Sequence, residues 1–251
     1  MGHDLHRVEH VMGTAISLHA RDVPDPSIAE AVFESLRQAE ARFSPYRSQS
    51  EISRLQRGEL AEAEASADVR HVLALCDDLS RTTSGYFDAR HHRADGLPDP
   101  TGLVKGWAVE EAALLLEVSG VRHYALNAGG DVIVRGEPEP GRPWRIGLRH
   151  PDRPDLLTGV VSLTRGAVAT SGAYERGEHI RDPHTGRAPR SMRSVTVVGP
   201  SLTYADAYAT AAFAMGLPGL DWVAARPGYG VYACTVDGQA VWSRSLDGCL
   251  A

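Results

Sequence analysis

The sequence is poor in cysteine and in long apolar runs, and both shortages narrow what the chain can be. Its three cysteines, Cys76, Cys234 and Cys249, are widely spaced and form no CxxC pair, so no disulfide framework is indicated, which suits a reducing compartment. No run approaches the roughly 20 apolar residues of a membrane span, and the N-terminus has no apolar core of signal-peptide length. We therefore expect a cytoplasmic protein with no membrane partner.

Basic residues are also too few and too dispersed for a nucleic-acid-binding protein. Lysine and arginine total 26 against 32 acidic residues, which gives a net charge of -6, and no basic run or basic helix face appears. The sequence contains no P-loop, no GxGxxG fingerprint and no GxSxG elbow. Nucleic acid is therefore not an expected partner, and the common nucleotide and hydrolase motifs are absent.

Glycine and proline are abundant, with 25 and 15 among 251 residues, which indicates many turns and a substantial sheet. Apolar residues at helical spacing predict helices over 26–43, 68–79 and 104–118, the first with a capping box formed by Ser27 and Glu30. Alternation predicts one strand over 6–19. Because no linker or repeat divides the chain, we expect a single domain over 1–251, an α+β unit with antiparallel sheets flanked by helices and a central cleft.

The most informative segment is a predicted helix over 203–216, in which Asp206 and Thr210 lie one turn apart on one face. Such a pair can offer two hard oxygen ligands to one magnesium ion. Alternatively, Thr203 and Asp206 form a capping box, and Thr210 bonds back to a carbonyl one turn earlier. The spacing alone leaves both interpretations open.

Three further polar clusters have both a functional and an ordinary interpretation. His179, in a stretch of turn formers, is a candidate to transfer a proton, or else a solvated surface residue. Lys105 lies where a loop enters a helix, and the helix amides there favour an anion; otherwise it is a solvated lysine. The paired glycines of 127–131 allow a close approach of the backbone to a ligand, or simply a tight turn.

Taken in chain order, these motifs resemble the ApbE family, the FAD:protein FMN transferases. The resemblance spans nearly the whole chain and is carried by nine segments: 12–14, 43–46, 85–88, 99–110, 127–131, 144–148, 171–172, 179–186 and 205–211. It implies an ApbE-like (T-fold-like) unit that cleaves FAD, transfers its FMN half through a phosphoester to a threonine or serine of a target flavoprotein, and releases AMP. The implied acceptor is a cytoplasmic flavoprotein.

The resemblance also assigns roles to residues. It implies a Mg²⁺ ion held by Asp206, Thr210 and a backbone carbonyl of Gly102 in the loop before Lys105. It implies His179 or Asp206 as the group that receives the proton of the acceptor hydroxyl; His179 is favoured because a metal-bound carboxylate is a poor base. The implied FAD contacts are Met12, Tyr46, Tyr86, Phe87, Asp88, Asp99, Lys105 and Ile180.

The chain departs from the family pattern in two places. Only ten residues, 89–98, separate Asp88 from Asp99 where the family has a longer segment, and Glu110 stands where the family prefers aspartate. Two alternatives therefore accompany the transferase hypothesis. One is an FAD pyrophosphatase, in which water replaces the protein hydroxyl, and the other is a non-catalytic FAD-binding protein.

Overall fold

The computed structural model describes residues 2–90, 96–172 and 180–251. Its strands are β1 His3–Val11, β2 Thr14–Val23, β3 His123–Ala128, β4 Asp131–Arg135, β5 Trp144–Arg149, β6 Leu157–Leu163, β7 Arg165–Gly172, β8 Met192–Gly199, β9 Gly230–Thr235 and β10 Ala240–Trp242. Its α-helices are α1 Ile28–Phe43, α2 Glu51–Gln56, α3 Ala67–Thr82, α4 Thr101–Val118, α5 Leu202–Met215 and α6 Pro218–Ala224. Two short 3₁₀ turns, Glu62–Glu64 and Arg244–Leu246, complete the described elements.

The strands form one large and one small antiparallel sheet, which confirms the predicted α+β class. The large sheet has eight strands in the order β1-β2-β3-β4-β7-β8-β9-β10, and β5 pairs with β6 in a separate hairpin. Helices α4 and α5 lie side by side, and α5 packs on β7 and β8. Within the described ranges, no helix combines the length and the apolar character needed to cross a membrane.

The single strand predicted over 6–19 is wrong, because that segment is a hairpin. Strands β1 and β2 pair in antiparallel fashion on either side of Met12 and Gly13. Both turn residues adopt positive φ angles, 54° and 72°, as the tight turns that match strand twist require. The alternation of apolar residues continues across the two-residue turn, so periodicity alone does not reveal the reversal of direction.

The predicted helices are confirmed, although the details at two helix starts differ. Ser27 precedes α1 without accepting a capping hydrogen bond, and its hydroxyl instead donates to Asp25 at 2.8 Å. Glu30 pairs with Arg7 at 2.7 Å, so the predicted capping box at 27–30 is wrong. Helix α4 begins at Thr101, three residues before the predicted start, and this places Gly102 inside the helix.

The main core lies between the helices and one face of the large sheet. It includes fully buried residues such as Leu18, Phe33, Leu103 and Leu126. The β5–β6 hairpin covers part of the opposite face, with smaller apolar clusters beneath it. The central strands are therefore buried on both faces, which gives the helices a rigid platform.

One carboxylate joins the two central helices. Glu110 of α4 accepts hydrogen bonds from the Ser201 hydroxyl at 2.8 Å, from the Thr203 backbone N–H at 2.9 Å and from the Thr203 hydroxyl. Ser201 is itself the N-cap of α5. A side chain of one helix therefore satisfies the exposed amide end of the next, and its negative charge complements the helix dipole there.

We predict that Glu110→Ala lowers the melting temperature by roughly 3–6 °C, because it removes a cap and leaves the buried Thr203 hydroxyl unpaired. Thermal unfolding followed by circular dichroism measures this. The matched control is Glu111→Ala on the exposed face of the same helix, which is expected to change the melting temperature little. Equal shifts for the two variants would contradict the capping role.

Candidate active site

The structure contains a cavity of about 820 Å³ between the end of α1, the start of α4, one face of α5, the end of β7, the β1–β2 turn and three loops. Every predicted site residue within the described ranges lines it: Met12, Tyr46, Tyr86, Phe87, Asp88, Asp99, Gly102, Lys105, Ile180, Asp206 and Thr210. His179 lies outside the described residues. Side chains drawn from the whole length of the sequence therefore share one concave surface of the size that small-ligand sites have.

Asp206 and Thr210 face this cavity from α5, and the capping interpretation of Asp206 is wrong. Asp206 is the fifth residue of the helix, whose start is capped by Ser201 and Glu110. Asp206 is 7% exposed. The Thr210 hydroxyl lies 3.1 Å from the Ser171 hydroxyl on β7. The pair thus presents a carboxylate and a hydroxyl from a rigid helix, with a second hydroxyl on the neighbouring strand.

A glycine on α4 allows the two helices to approach closely beside Asp206. A Cβ atom at Gly106 would lie 2.9 Å from the Leu202 carbonyl oxygen, 3.1 Å from Asp206 Cβ and 3.3 Å from Asp206 Oδ2. The first of these distances is shorter than real Cβ contacts allow. Gly106 therefore fixes the separation between the Asp206 carboxylate and the first turns of α4.

The donor atoms at this end of the cavity fit a hard divalent cation. The described part of the chain has no cluster of three or more histidine, cysteine, aspartate or glutamate residues suited to a metal ion. One carboxylate together with hydroxyl and carbonyl oxygens instead matches magnesium, which keeps waters or substrate phosphates as its other ligands. The donor chemistry thus favours magnesium over zinc or copper.

Gly102 is in helix α4, not in the loop predicted for it. As the second residue of the helix it lines the cavity. In a regular α-helix its carbonyl oxygen accepts the N–H of Gly106, and a carbonyl oxygen has a second lone pair available to a ligand. The Phe87 ring packs against this first turn, 3.5 Å from where a Cβ of Gly102 would be.

Lys105 is not a solvated lysine. Its ammonium group forms an ion pair with Oδ2 of Asp131, whose side chain is only 2% exposed, while the Lys105 side chain is 23% exposed. The other Asp131 oxygen, Oδ1, accepts the backbone N–H of Thr170 at 3.1 Å. The cavity wall at this point thus contains a positive group supported from behind by a buried negative one.

The other two aspartates of the cavity hold backbone in place. Asp99 Oδ1 accepts the N–H of Thr101 at 3.1 Å and its hydroxyl at 2.7 Å, so Asp99 organises the entry into α4. Asp88 Oδ1 accepts the N–H of Arg90 at 2.8 Å. Both carboxylates therefore shape the loops that line the cavity, whatever ligand they contact.

The rim of the cavity depends on residues that the sequence analysis missed. Glu40 of α1 accepts the Met12 N–H at 3.1 Å and pairs with Arg47 at 2.6 Å, which ties the first hairpin to the loop that carries Tyr46. Tyr46 is 95% exposed, so its ring is open to stacking on a ligand. No local pattern marks Glu40, because its partners lie in other elements.

A second rim contact joins two predicted motifs. The His184 ring meets the Tyr86 ring edge-on, with centroids 4.6 Å apart, and His184 Nε2 lies 3.0 Å from the Ser84 carbonyl oxygen. The loop that follows Ile180 is thereby docked on the 84–87 turn. His184 lies inside the 179–186 segment, but the residue types of that segment give no indication of this contact.

We predict that Gly106→Ala destabilises the fold by on the order of 1 kcal/mol. Alanine favours a helix interior by about 1 kcal/mol over glycine, but overpacking against Leu202 and Asp206 costs about 1–3 kcal/mol. Chemical denaturation measures the difference. Gly248→Ala is the control, because a Cβ there meets nothing within 4 Å. A more stable Gly106→Ala variant would contradict the close helix approach.

Comparison with known proteins places these features in one family. The sequence model of the ApbE family matches residues 12–96 and 90–233. The chain is 32% identical over 146 residues to the FAD:protein FMN transferase of Escherichia coli (strain K12), an alignment that covers 54% of this chain and 42% of that protein. The chain thus matches less than half the length of this relative. The FAD:protein FMN transferase of Haemophilus influenzae is 24% identical over 274 residues, covering 82% and 79%.

Solved structures show the same fold. The flavin transferase ApbE from Vibrio cholerae superposes with a TM-score of 0.85 at 23% identity, covering 99% of this chain and 100% of that one. The ApbE protein from Thermotoga maritima gives 0.84 at 22% identity, with 97% and 98% covered. At these identities the likeness shows a common architecture.

Proposed function

This chain belongs to the ApbE family, and from that membership and the geometry of its cavity we propose that it transfers the FMN half of FAD to a serine or threonine hydroxyl of a protein acceptor, with release of AMP. The observation that carries the proposal is the convergence of all the described site residues on one cavity. Similarity to relatives named FAD:protein FMN transferase supports it.

The cavity suits a dinucleotide in size and in lining. Its volume of about 820 Å³ lies in the range of small-ligand and cofactor sites. The rings of Tyr46 and Tyr86 offer surfaces for an isoalloxazine or adenine ring, worth on the order of 1 kcal/mol each. Lys105 offers a positive charge to a diphosphate, and the positive end of the α4 dipole lies beside it.

In this proposal Asp206, Thr210 and the Gly102 carbonyl hold a magnesium ion. A bound magnesium ion supplies Lewis-acid neutralisation of the diphosphate charge. The oxygen donors at this end of the cavity fit that ion, since a carboxylate, a hydroxyl and a carbonyl are all hard ligands. The rigidity of α5 and the close approach at Gly106 keep the carboxylate and the start of α4 together.

The transfer itself requires a nucleophile, a leaving group and a proton acceptor. The acceptor hydroxyl oxygen forms a bond to the FMN phosphorus, the bond from that phosphorus to the bridging oxygen breaks, and AMP leaves with the bonding electrons. We assign the hydroxyl proton to His179, whose chain neighbour Ile180 lines the cavity. Asp206 is the poorer candidate because metal binding lowers its basicity. Lys105 shares the charge that develops on the phosphates.

The decisive experiment incubates the protein with FAD, magnesium chloride and a candidate acceptor domain, and measures the intact mass of the acceptor together with free AMP. An increase in acceptor mass equal to that of FMN minus one water molecule, together with an equimolar amount of AMP, supports the transferase. AMP and free FMN without an adduct indicate the pyrophosphatase, and FAD binding without AMP indicates a non-catalytic protein. The cytoplasmic location of the acceptor stays a prediction.

We predict that Asp206→Ala reduces AMP release from FAD by more than about 100-fold, because it removes the carboxylate ligand of the proposed cation, whose Lewis-acid role is worth several kcal/mol. Chromatographic AMP assays at saturating magnesium measure this. Asp221→Ala, an exposed aspartate on α6, is the control and retains full activity. Normal turnover by a folded Asp206→Ala protein rules out the metal assignment.

Thr210→Val is expected to raise the magnesium concentration needed for half-maximal AMP release, while saturating magnesium restores most of the rate. The substitution removes a single neutral ligand and keeps the shape of the side chain. A magnesium titration compares it with wild type and with Ser171→Ala, which loses the hydroxyl partner of Thr210 but no proposed ligand. Superimposable titrations for wild type and Thr210→Val would exclude Thr210 as a ligand.

A further inference from the structure

The buried carboxylate of Asp131 has no part in the function proposed above, yet it lies directly behind a cavity residue. The residue is 1% exposed. Its Oδ1 atom accepts the Thr170 N–H at 3.1 Å. Its Oδ2 atom is buried, forms an ion pair with the Lys105 ammonium, and has no hydrogen bond from another described group. A buried carboxylate is tolerated only when it is paired, so Asp131 depends on its ion pair with Lys105.

The turn before Asp131 fixes where this carboxylate lies. The Asn127 side-chain oxygen accepts the Gly130 N–H at 2.9 Å, and the Gly129 N–H donates to the Ala15 carbonyl at 3.2 Å. A Cβ at Gly129 would lie only 2.5 Å from the Thr14 hydroxyl oxygen, and both glycines have positive φ angles. The tight-turn interpretation of 127–131 is therefore correct, and the turn anchors β4 at its first residue, Asp131.

A lysine side chain without such a partner samples many rotamers, because its four-carbon stem is flexible and its ammonium is strongly hydrated. Lys105 lines the cavity, and the buried carboxylate limits where its ammonium can go. A charge that is already in place before the substrate arrives stabilises developing negative charge without the cost of reorganisation. The ion pair therefore suits the part that the proposed function gives to Lys105.

We propose that Asp131 is a positioning residue: it acts through Lys105, holding the ammonium at the cavity wall where the diphosphate of FAD is handled. This inference rests on the proposed function. It gives the Asn-Ala-Gly-Gly-Asp motif a purpose, namely to place one buried carboxylate behind one lysine. Asp131 touches no reacting atom and is not itself a catalytic residue.

The test is a double-mutant cycle on AMP release from FAD with magnesium, using wild type, Asp131→Asn, Lys105→Met and the double variant. Asp131→Asn keeps the shape and the Oδ1 acceptor for Thr170 but removes the charge. We expect it to lower kcat by about 10- to 100-fold while the KM for FAD changes less than about threefold. The double variant is expected to match Lys105→Met within about twofold.

Losses in kcat that multiply in the double variant would show that Asp131 does not act through Lys105 and would overturn the inference. The same holds if Asp131→Asn changes only KM. Asp155→Asn, an exposed aspartate between β5 and β6, is the control for the loss of one negative charge and keeps the wild-type kcat.

Melting temperatures of the same four ligand-free proteins test the ion pair independently of activity. Lys105→Met leaves a buried charge unpaired and is expected to melt lower than the double variant, in which the side chain at position 131 is a neutral amide. If the double variant does not melt at a higher temperature than Lys105→Met, the ion pair is overturned.

The proposed function and the role of Asp131 can fail separately. Wild type that releases no AMP from FAD overturns both, whereas an active wild type with multiplicative losses in the double variant overturns only the role of Asp131.

Discussion

The close contact between helices α4 and α5 is the constraint on which the rest of the site depends. Because Gly106 has no side chain, the two backbones approach so closely that a Cβ atom at position 106 would collide with the Leu202 carbonyl oxygen. Glu110 of α4 holds the start of α5 in place by accepting three hydrogen bonds. As a result, the Asp206 carboxylate and the first turn of α4 line the same cavity. This helix–helix interface thus sets the geometry of a candidate metal and phosphate site.

The sheet completes the site from the other side. Strand β7 brings Ser171 to the Thr210 hydroxyl and its Thr170 N–H to Asp131, so one strand contacts one of the proposed cation ligands and also the carboxylate behind Lys105. Because β7 lies between β4 and β8 in the large sheet, these contacts are held by paired strands on both sides. The polar groups that handle charge therefore lie on helices and strands, while Tyr46, Tyr86 and Ile180 reach the cavity from loops.

The interpretation of the sequence succeeded where a residue pattern is local. It failed where the chain reverses direction within a pattern and where a side chain has its partner in a distant part of the sequence. The helical spacing of α1, α3 and α4 is confirmed, as is the α+β class. The strand over 6–19 is a hairpin, because two residues with positive φ reverse the chain without interrupting the alternation. The capping box at Ser27 is wrong because Glu30 has arginine partners, and Gly102 is helical because Asp99 organises the turn that starts α4 earlier than the apolar spacing indicates.

The sequence by itself determined that Asp206 and Thr210 share a face, because a helix places residues four apart on one side whatever surrounds it. It also determined the order of motifs that identifies the family. Only the tertiary structure decided which groups those residues meet. The partners of Thr210, Lys105, Met12 and Thr203 are Ser171, Asp131, Glu40 and Glu110, each at least 26 positions away in the chain. Contacts of that separation depend on how the sheet and helices pack together, and no local pattern of residues encodes them.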